Sequence, residues 1–169
     1  MKIYLVGFMG CGKSSTGKRL ASLCRLSFVD TDVLFEQKHQ CSIFDFYTTH
    51  TEEEFRKEEQ DILFKTQSLN NSIIATGGGM PCFEKNMEWM LANGVVVYIE
   101  MSPAALYARI INSKKKRPLL PSKETLMEYI KTQLAQREDT YKQAHITLRV
   151  GKPDMNILIK AINDFIGAV

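Results

Sequence analysis

No pair of cysteines in this 169-residue chain has the C-x-x-C spacing of a zinc or redox site, and Cys11, Cys24, Cys41 and Cys82 are too scattered to frame one. Free thiols in a reducing, cytoplasmic setting are the expectation. Proline is sparse, at five residues, and no Pro/Ser/Gly-rich stretch marks a linker between domains. Long apolar runs are missing too. The stretch Ile3 to Met9 is at the lower limit for the hydrophobic part of a secretion signal and far too short for a membrane span. Neither sign of charge dominates: 22 basic against 19 acidic residues leave a net +3, which names no partner. The single lysine run, Lys114 to Lys116, has no interleaved aromatic residues on which bases could stack. Neither nucleic acid nor membrane is expected as a partner. His39, His50 and His145 have no nucleophile or metal spacing around them, and no internal repeat is present.

What is present fits one globular domain spanning 1–169, with 44% hydrophobic residues. Strand-length apolar runs alternate with longer segments of helical period, which predicts an α/β fold on a parallel sheet. Five strands are expected, at Lys2–Val6, Ser27–Asp30, Ile73–Thr76, Val95–Glu100 and Ile146–Val150. Thr51 to Leu69 reads as helix, with Phe55, Ile62, Thr66 and Leu69 on one face and Thr51 and Glu54 at capping-box spacing. Pro121 and Ser122 open another helix, in which Leu126, Ile130 and Leu134 form a stripe that Arg137 continues. Trp89, the phenylalanines and the methionines are assigned to the core.

Gly7-Phe8-Met9-Gly10-Cys11-Gly12-Lys13-Ser14 matches G-x-x-x-x-G-K-[ST] between an apolar strand and a helical segment. In such a loop backbone N–H groups turn toward phosphate oxygens, the lysine reaches the terminal phosphates and the hydroxyl ligates Mg2+. ATP with Mg2+ is therefore the expected ligand, and Gly10, Cys11, Gly12, Lys13, Ser14 and Ser15 are the candidate contacts. A Gly-rich turn without ligand is the plainer alternative, and Gly17 and Lys18 read as ordinary first-turn residues. Asp30-Thr31-Asp32 ends the second strand, at the edge where open α/β sheets place their ligands. Phosphoryl transfer needs one acid for magnesium and its waters and one for the accepting hydroxyl. By itself, though, Asp32 reads equally as the cap of a helix starting at Val33.

With Lys13, Asp30, Asp32, Phe55-Arg56, Thr76-Gly77-Gly78-Gly79, Arg117-Pro118-Leu119-Leu120 and Arg137 in this order, the chain resembles shikimate kinase over nearly its whole length. The resemblance implies a P-loop fold of the nucleoside-monophosphate-kinase type: a five-stranded parallel sheet in the order 2-3-1-4-5, flanked by helices on both faces. It further implies a substrate-binding region at about 31–60, a lid at about 112–122 and, by expectation, a monomer. The implied reaction is phosphorylation of shikimate by ATP in chorismate and aromatic amino-acid biosynthesis. Ser14 and Asp30 would serve Mg2+, while Lys13, Asp32 and Arg117 would be catalytic. Asp32, Arg56, Gly78, Gly79 and Arg137 would hold shikimate, and Arg109 and Pro153 would border adenine. Two arginines suit a carboxylate because the guanidinium fork meets it bidentately.

Plainer readings stand beside these: an Arg56–Glu59 helix pair, a simple turn at the glycines, a hydrated lysine loop, and surface roles for Arg109 and Pro153. The rival activities are a gluconate kinase or nucleoside monophosphate kinase, and a catalytically silent nucleotide-binding module. Three positions depart from the family pattern. Thr51 replaces a usual glycine, Asp139 replaces a usual proline and is a candidate competitor for Arg137, and Cys11 in the loop is a candidate low-pKa thiol.

Overall fold

The computed structural model describes residues 1–113, 120–149 and 154–168. Its five strands are β1 (Lys2–Val6), β2 (Ser27–Asp30), β3 (Ser72–Ala75), β4 (Val95–Glu100) and β5 (Ile146–Arg149). They form one parallel sheet in the order β2-β3-β1-β4-β5. The central strands β1, β3 and β4 are almost wholly buried, and so read as unbroken apolar runs. The edge strands β2 and β5 are largely exposed or half-buried, and carry Ser27 and Arg149 on their open positions.

Eight helices join the strands among the described residues: α1 (Lys13–Cys24), α2 (Thr31–His39), α3 (Ile43–Thr49), α4 (Glu52–Lys65), α5 (Asn86–Asn93), α6 (Pro103–Ile111), α7 (Lys123–Tyr141) and α8 (Met155–Gly167). After β1 the chain turns toward β2, whereas after β4 it turns toward β5. The crevice beyond the carboxyl ends of β1 and β4 is thus a topological switch point, the usual ligand position in such sheets.

Most of the core lies on the sheet, from Tyr4 and Val97 to Leu106 and Ile130. A second, smaller cluster of Phe35, Phe46, Phe55 and Ile62 knits α2, α3 and α4 together. Region 31–60 therefore carries apolar support of its own.

Several expectations shift. β3 starts one residue early and excludes Thr76, although Thr76 still bonds Leu5 through both its N–H and its hydroxyl. α4 stops at Lys65 and gives way to a 3-10 turn at Thr66–Ser68, because the buried Thr66 hydroxyl donates back to Leu63 O and meets the Tyr4 hydroxyl at 3.0 Å. α2 begins at Thr31, and its cap is Asp30, whose carboxylate accepts from the Asp32 N–H at 3.1 Å. The reading of Asp32 as cap is corrected accordingly. Val150 lies outside the described residues. Phe44 and Phe64 are exposed, as is Met1, and Trp89 is only partly buried, so not every large apolar side chain joined the core.

Candidate active site

Gly10 and Gly12 take φ of +83° and +100°, a left-handed backbone that side chains resist, and this lets the chain wrap from β1 into α1. Gly12 caps α1, so the free N–H groups of the first turn face the loop's concavity, a ready anion cradle. Lys13 is largely buried and straps the loop, its ammonium donating to Gly7 O at 2.7 Å and to Phe8 O at 3.1 Å. Its third contact is the Cys11 sulfur at 3.9 Å, a weak acceptor that a phosphate oxygen would readily displace. Ser15 donates to Gly12 O at 3.0 Å. Cys11 is 1% exposed and packed in the core, so the expected reactive thiol is corrected to a structural one. Reactive cysteines need access.

Ser14 Oγ donates to Asp30 Oδ2 at 2.6 Å, which joins the loop to the end of β2. A hydroxyl and a carboxylate side by side are hard oxygen donors of the kind Mg2+ takes when substrate phosphates and water complete its shell. No group of three or more His, Cys, Asp or Glu able to hold an ion is found among the described residues.

Across the crevice, Arg109 on α6 donates to Cys11 O at 3.1 Å, from 98 residues away in sequence. That sets its guanidinium at the loop's rim, on the β4 side of the switch point. Arg117 and Pro153 lie outside the described residues.

The glycine triplet is held on the other flank. Gly77 N–H donates to the buried Thr31 hydroxyl at 3.0 Å. A Cβ at Gly78 would lie 3.3 Å from Met9 N in the phosphate loop and 3.7 Å from an Arg137 guanidinium nitrogen. A Cβ at Gly79 would meet the Arg56 guanidinium at 2.5 Å and displace it from its present position. Arg56 and Arg137 line one cavity of about 630 Å³ with Gly79, Cys82 and Gln133. Arg137 lies over the Phe8 ring, 5.7 Å from its centroid, and bonds Gln133 at 2.6 Å. Asp139 is exposed and two residues along the helix, hence on another face; the expected competition is corrected. Thr51 fills the family's glycine position with φ −76° and caps α4 in a capping box with Glu54.

Glu59 is the acid at the centre of this flank. Its carboxylate is 4% exposed, pairs with Arg56 at 2.5 Å, and lies against Gly77 together with Asp32. Burial pushes its carboxyl up, Arg56 opposes and the nearby Asp32 charge adds to the rise, which leaves it at about 7. Tyr47 packs at a tilt against Phe55, and its phenol is raised to about 12 by burial, with Arg56 opposing. Thr31, Gln133 and Tyr141 all touch these groups, and sequence reasoning missed them. Only the spacing of Gln133 and Tyr141, one turn on either side of Arg137, signalled them.

The chain is similar to known proteins over nearly its whole length. The shikimate kinase family model matches residues 9–165. A shikimate kinase of Azobacteroides pseudotrichonymphae is 41% identical over 162 residues, covering 94% of this chain and 95% of that protein. The crystal structure of the Bacteroides thetaiotaomicron shikimate kinase superposes with a TM-score of 0.88 at 30% identity, covering 99% of this chain and 97% of the other. That of the Acinetobacter baumannii shikimate kinase in complex with shikimate gives 0.87 at 31% identity, covering 99% and 93%. With its P-loop, two-arginine cavity and sheet order, the chain belongs to the shikimate kinase family.

Proposed function

We propose that the chain transfers the γ-phosphoryl group of ATP to a hydroxyl of shikimate, with roles divided among the residues of the two flanks. The observation that carries this reading is the convergence of Arg56 and Arg137 on one cavity lined by Gly79, whose neighbour Gly78 lies against Met9 of the phosphate loop. Two guanidinium groups suit a carboxylate, and a hydroxylated acid held there presents its hydroxyls toward the nucleotide end. Gluconate and nucleoside monophosphates are the rival acceptors.

In this reading the loop N–H groups and Lys13 hold the β- and γ-phosphates and neutralise charge as the phosphoryl group moves. Ser14 and Asp30 would hold Mg2+, which would supply charge neutralisation on the phosphates. Asp32 orients the acceptor hydroxyl and takes up its proton. Arg117 adds positive charge from the lid at about 112–122, Arg109 and Pro153 border adenine, and α2 to α4 form the substrate-binding region. Catalysis is mainly positioning and electrostatics, since the transfer asks little covalent chemistry of the protein. The enzyme acts as a monomer in the cytoplasm. Among the described residues no helix is long and apolar enough to cross a membrane.

Coupled ADP-release assays with shikimate, gluconate and nucleoside monophosphates as acceptors test the reading. Turnover with shikimate alone is expected, and turnover with any other acceptor at a comparable rate overturns it. Asp32→Asn should bind ATP normally and lose about 10²–10⁴-fold in turnover, the usual scale of general acid–base assistance. Near-normal turnover removes Asp32 from its role.

A further inference from the structure

Tyr141 is wholly buried at the carboxyl end of α7, one turn past Arg137, with its ring 5.1 Å from that of Tyr98. Its hydroxyl donates to the Gly78 carbonyl at 2.5 Å. Burial raises the phenol's pKa, so it remains a donor throughout the neutral range.

That bond fixes a particular peptide plane. The Gly78 carbonyl belongs to the peptide joining Gly78 to Gly79, and in a trans peptide the C=O and N–H point in opposite directions. With the oxygen turned to Tyr141, the Gly79 N–H faces away from α7's buried end. Gly79 lines the cavity and touches the Arg56 guanidinium. The flanking planes are pinned too: Thr31 accepts from Gly77 N–H, and Met80 N–H donates to Gly77 O at 3.3 Å. Among the described residues the N–H groups of Gly78 and Gly79 meet no acceptor. Backbone donors beside two guanidinium groups are suited to the oxygens of a hydroxylated acid.

We propose that Tyr141 is a positioning residue for the acceptor, fixing the Gly78–Gly79 peptide so that its N–H donates to an oxygen of the bound substrate. The inference rests on the reading of this cavity as the shikimate site. Because Arg137 and Tyr141 share one face of α7, a single rigid helix sets both the carboxylate clamp and the backbone donor.

Tyr141→Phe keeps the buried ring and removes the hydroxyl, which serves the Gly78 carbonyl and also meets the Arg137 side chain, so the amide measurement below separates the two effects. Steady-state kinetics with MgATP should show the shikimate KM rising by about 5- to 50-fold, the scale of a buried carbonyl left unpaired. The ATP KM should stay within about twofold of wild type, a split that a general loss of structure does not produce. A shikimate KM equal to wild type, or equal rises in both KM values, overturns the proposal. Amide NMR of the wild-type protein provides a second measurement that needs no variant. Addition of shikimate should shift the Gly79 N–H resonance strongly downfield, and an unmoved resonance overturns the proposal. Absence of any shikimate turnover by wild type sinks the site reading and the inference together, whereas an active wild type with an indifferent Tyr141→Phe sinks the inference alone.

Discussion

Arg56 and Glu59, one turn apart on α4, meet at 2.5 Å in an ion pair whose acid is almost fully enclosed. The helix pair and the substrate clamp, read from sequence as alternatives for Arg56, are compatible in space. A guanidinium has five donors; Glu59 and Glu52 engage two of its N–H groups, and the group still lines the cavity. In the proposed function the pair holds the fork in place before an acceptor carboxylate arrives, which lowers the ordering cost of binding.

The burial of Glu59 has a pH signature. Its folded-state pKa of about 7 lies above its ordinary 4.5, so between those values the folded protein binds more protons than the unfolded chain. This group's contribution is therefore fully present below about pH 4.5, is lost as pH rises toward 7, and is flat above. Denaturant titrations of wild type and Glu59→Gln across pH 4.5–8 should show the fall in wild type and its flattening in the variant. Parallel profiles would contradict the buried-acid account.

Asp30 caps α2 and, in the proposed mechanism, serves Mg2+, two tasks that one substitution separates. Asparagine also caps helices well, so Asp30→Asn should cost only a few tenths of a kcal/mol in stability. The lost charge should instead raise the Mg2+ concentration needed for half-maximal rate by about tenfold or more, the scale of a charge-assisted contact. An unchanged magnesium titration would free Asp30 from the metal. Chelation of Mg2+ should stop turnover reversibly.

Arg56→Lys and Arg137→Gln test the two sides of the clamp. Lysine keeps the charge of Arg56 but loses the fork. Each variant should raise the shikimate KM about 10- to 100-fold, as expected for a charged hydrogen bond, while the ATP KM stays near wild type. An unchanged shikimate KM in both would empty the cavity of its assigned role.

Thr51 is expected to matter for stability alone. Thr51→Ala removes a capping box and should cost about 1 kcal/mol, whereas Thr51→Gly should cost only a few tenths. Urea unfolding with equal slopes resolves the two, and the reverse order would show that the glycine usual in the family serves something other than capping.

Much of this molecule was legible in its sequence because the signals are local. The phosphate loop is one contiguous motif between a strand and a helix, and β1, β2 and β4 fall where their apolar runs stand. The misplacements trace to contacts from afar. Thr66 ended α4 early because it bonds within the helix end and to Tyr4, 62 residues away. The start of α2 moved to Thr31 as its hydroxyl was drawn to Gly77. For Arg137 the error was one of period: Asp139 at i+2 turns away on a helix, while Gln133 at i−4 shares its face.

The sequence by itself determined the elements, the phosphate loop and the kinds of side chain available to grip an acid, since helical and strand periods and backbone preferences act over a few residues. Tertiary structure alone decided which of them meet: Arg109 with Cys11 across 98 residues, Tyr141 with Gly78 across 63, and Asp32 with Glu59 beside Gly77. Those meetings depend on strand order and on how closely helices pack on the sheet, and no local preference encodes either.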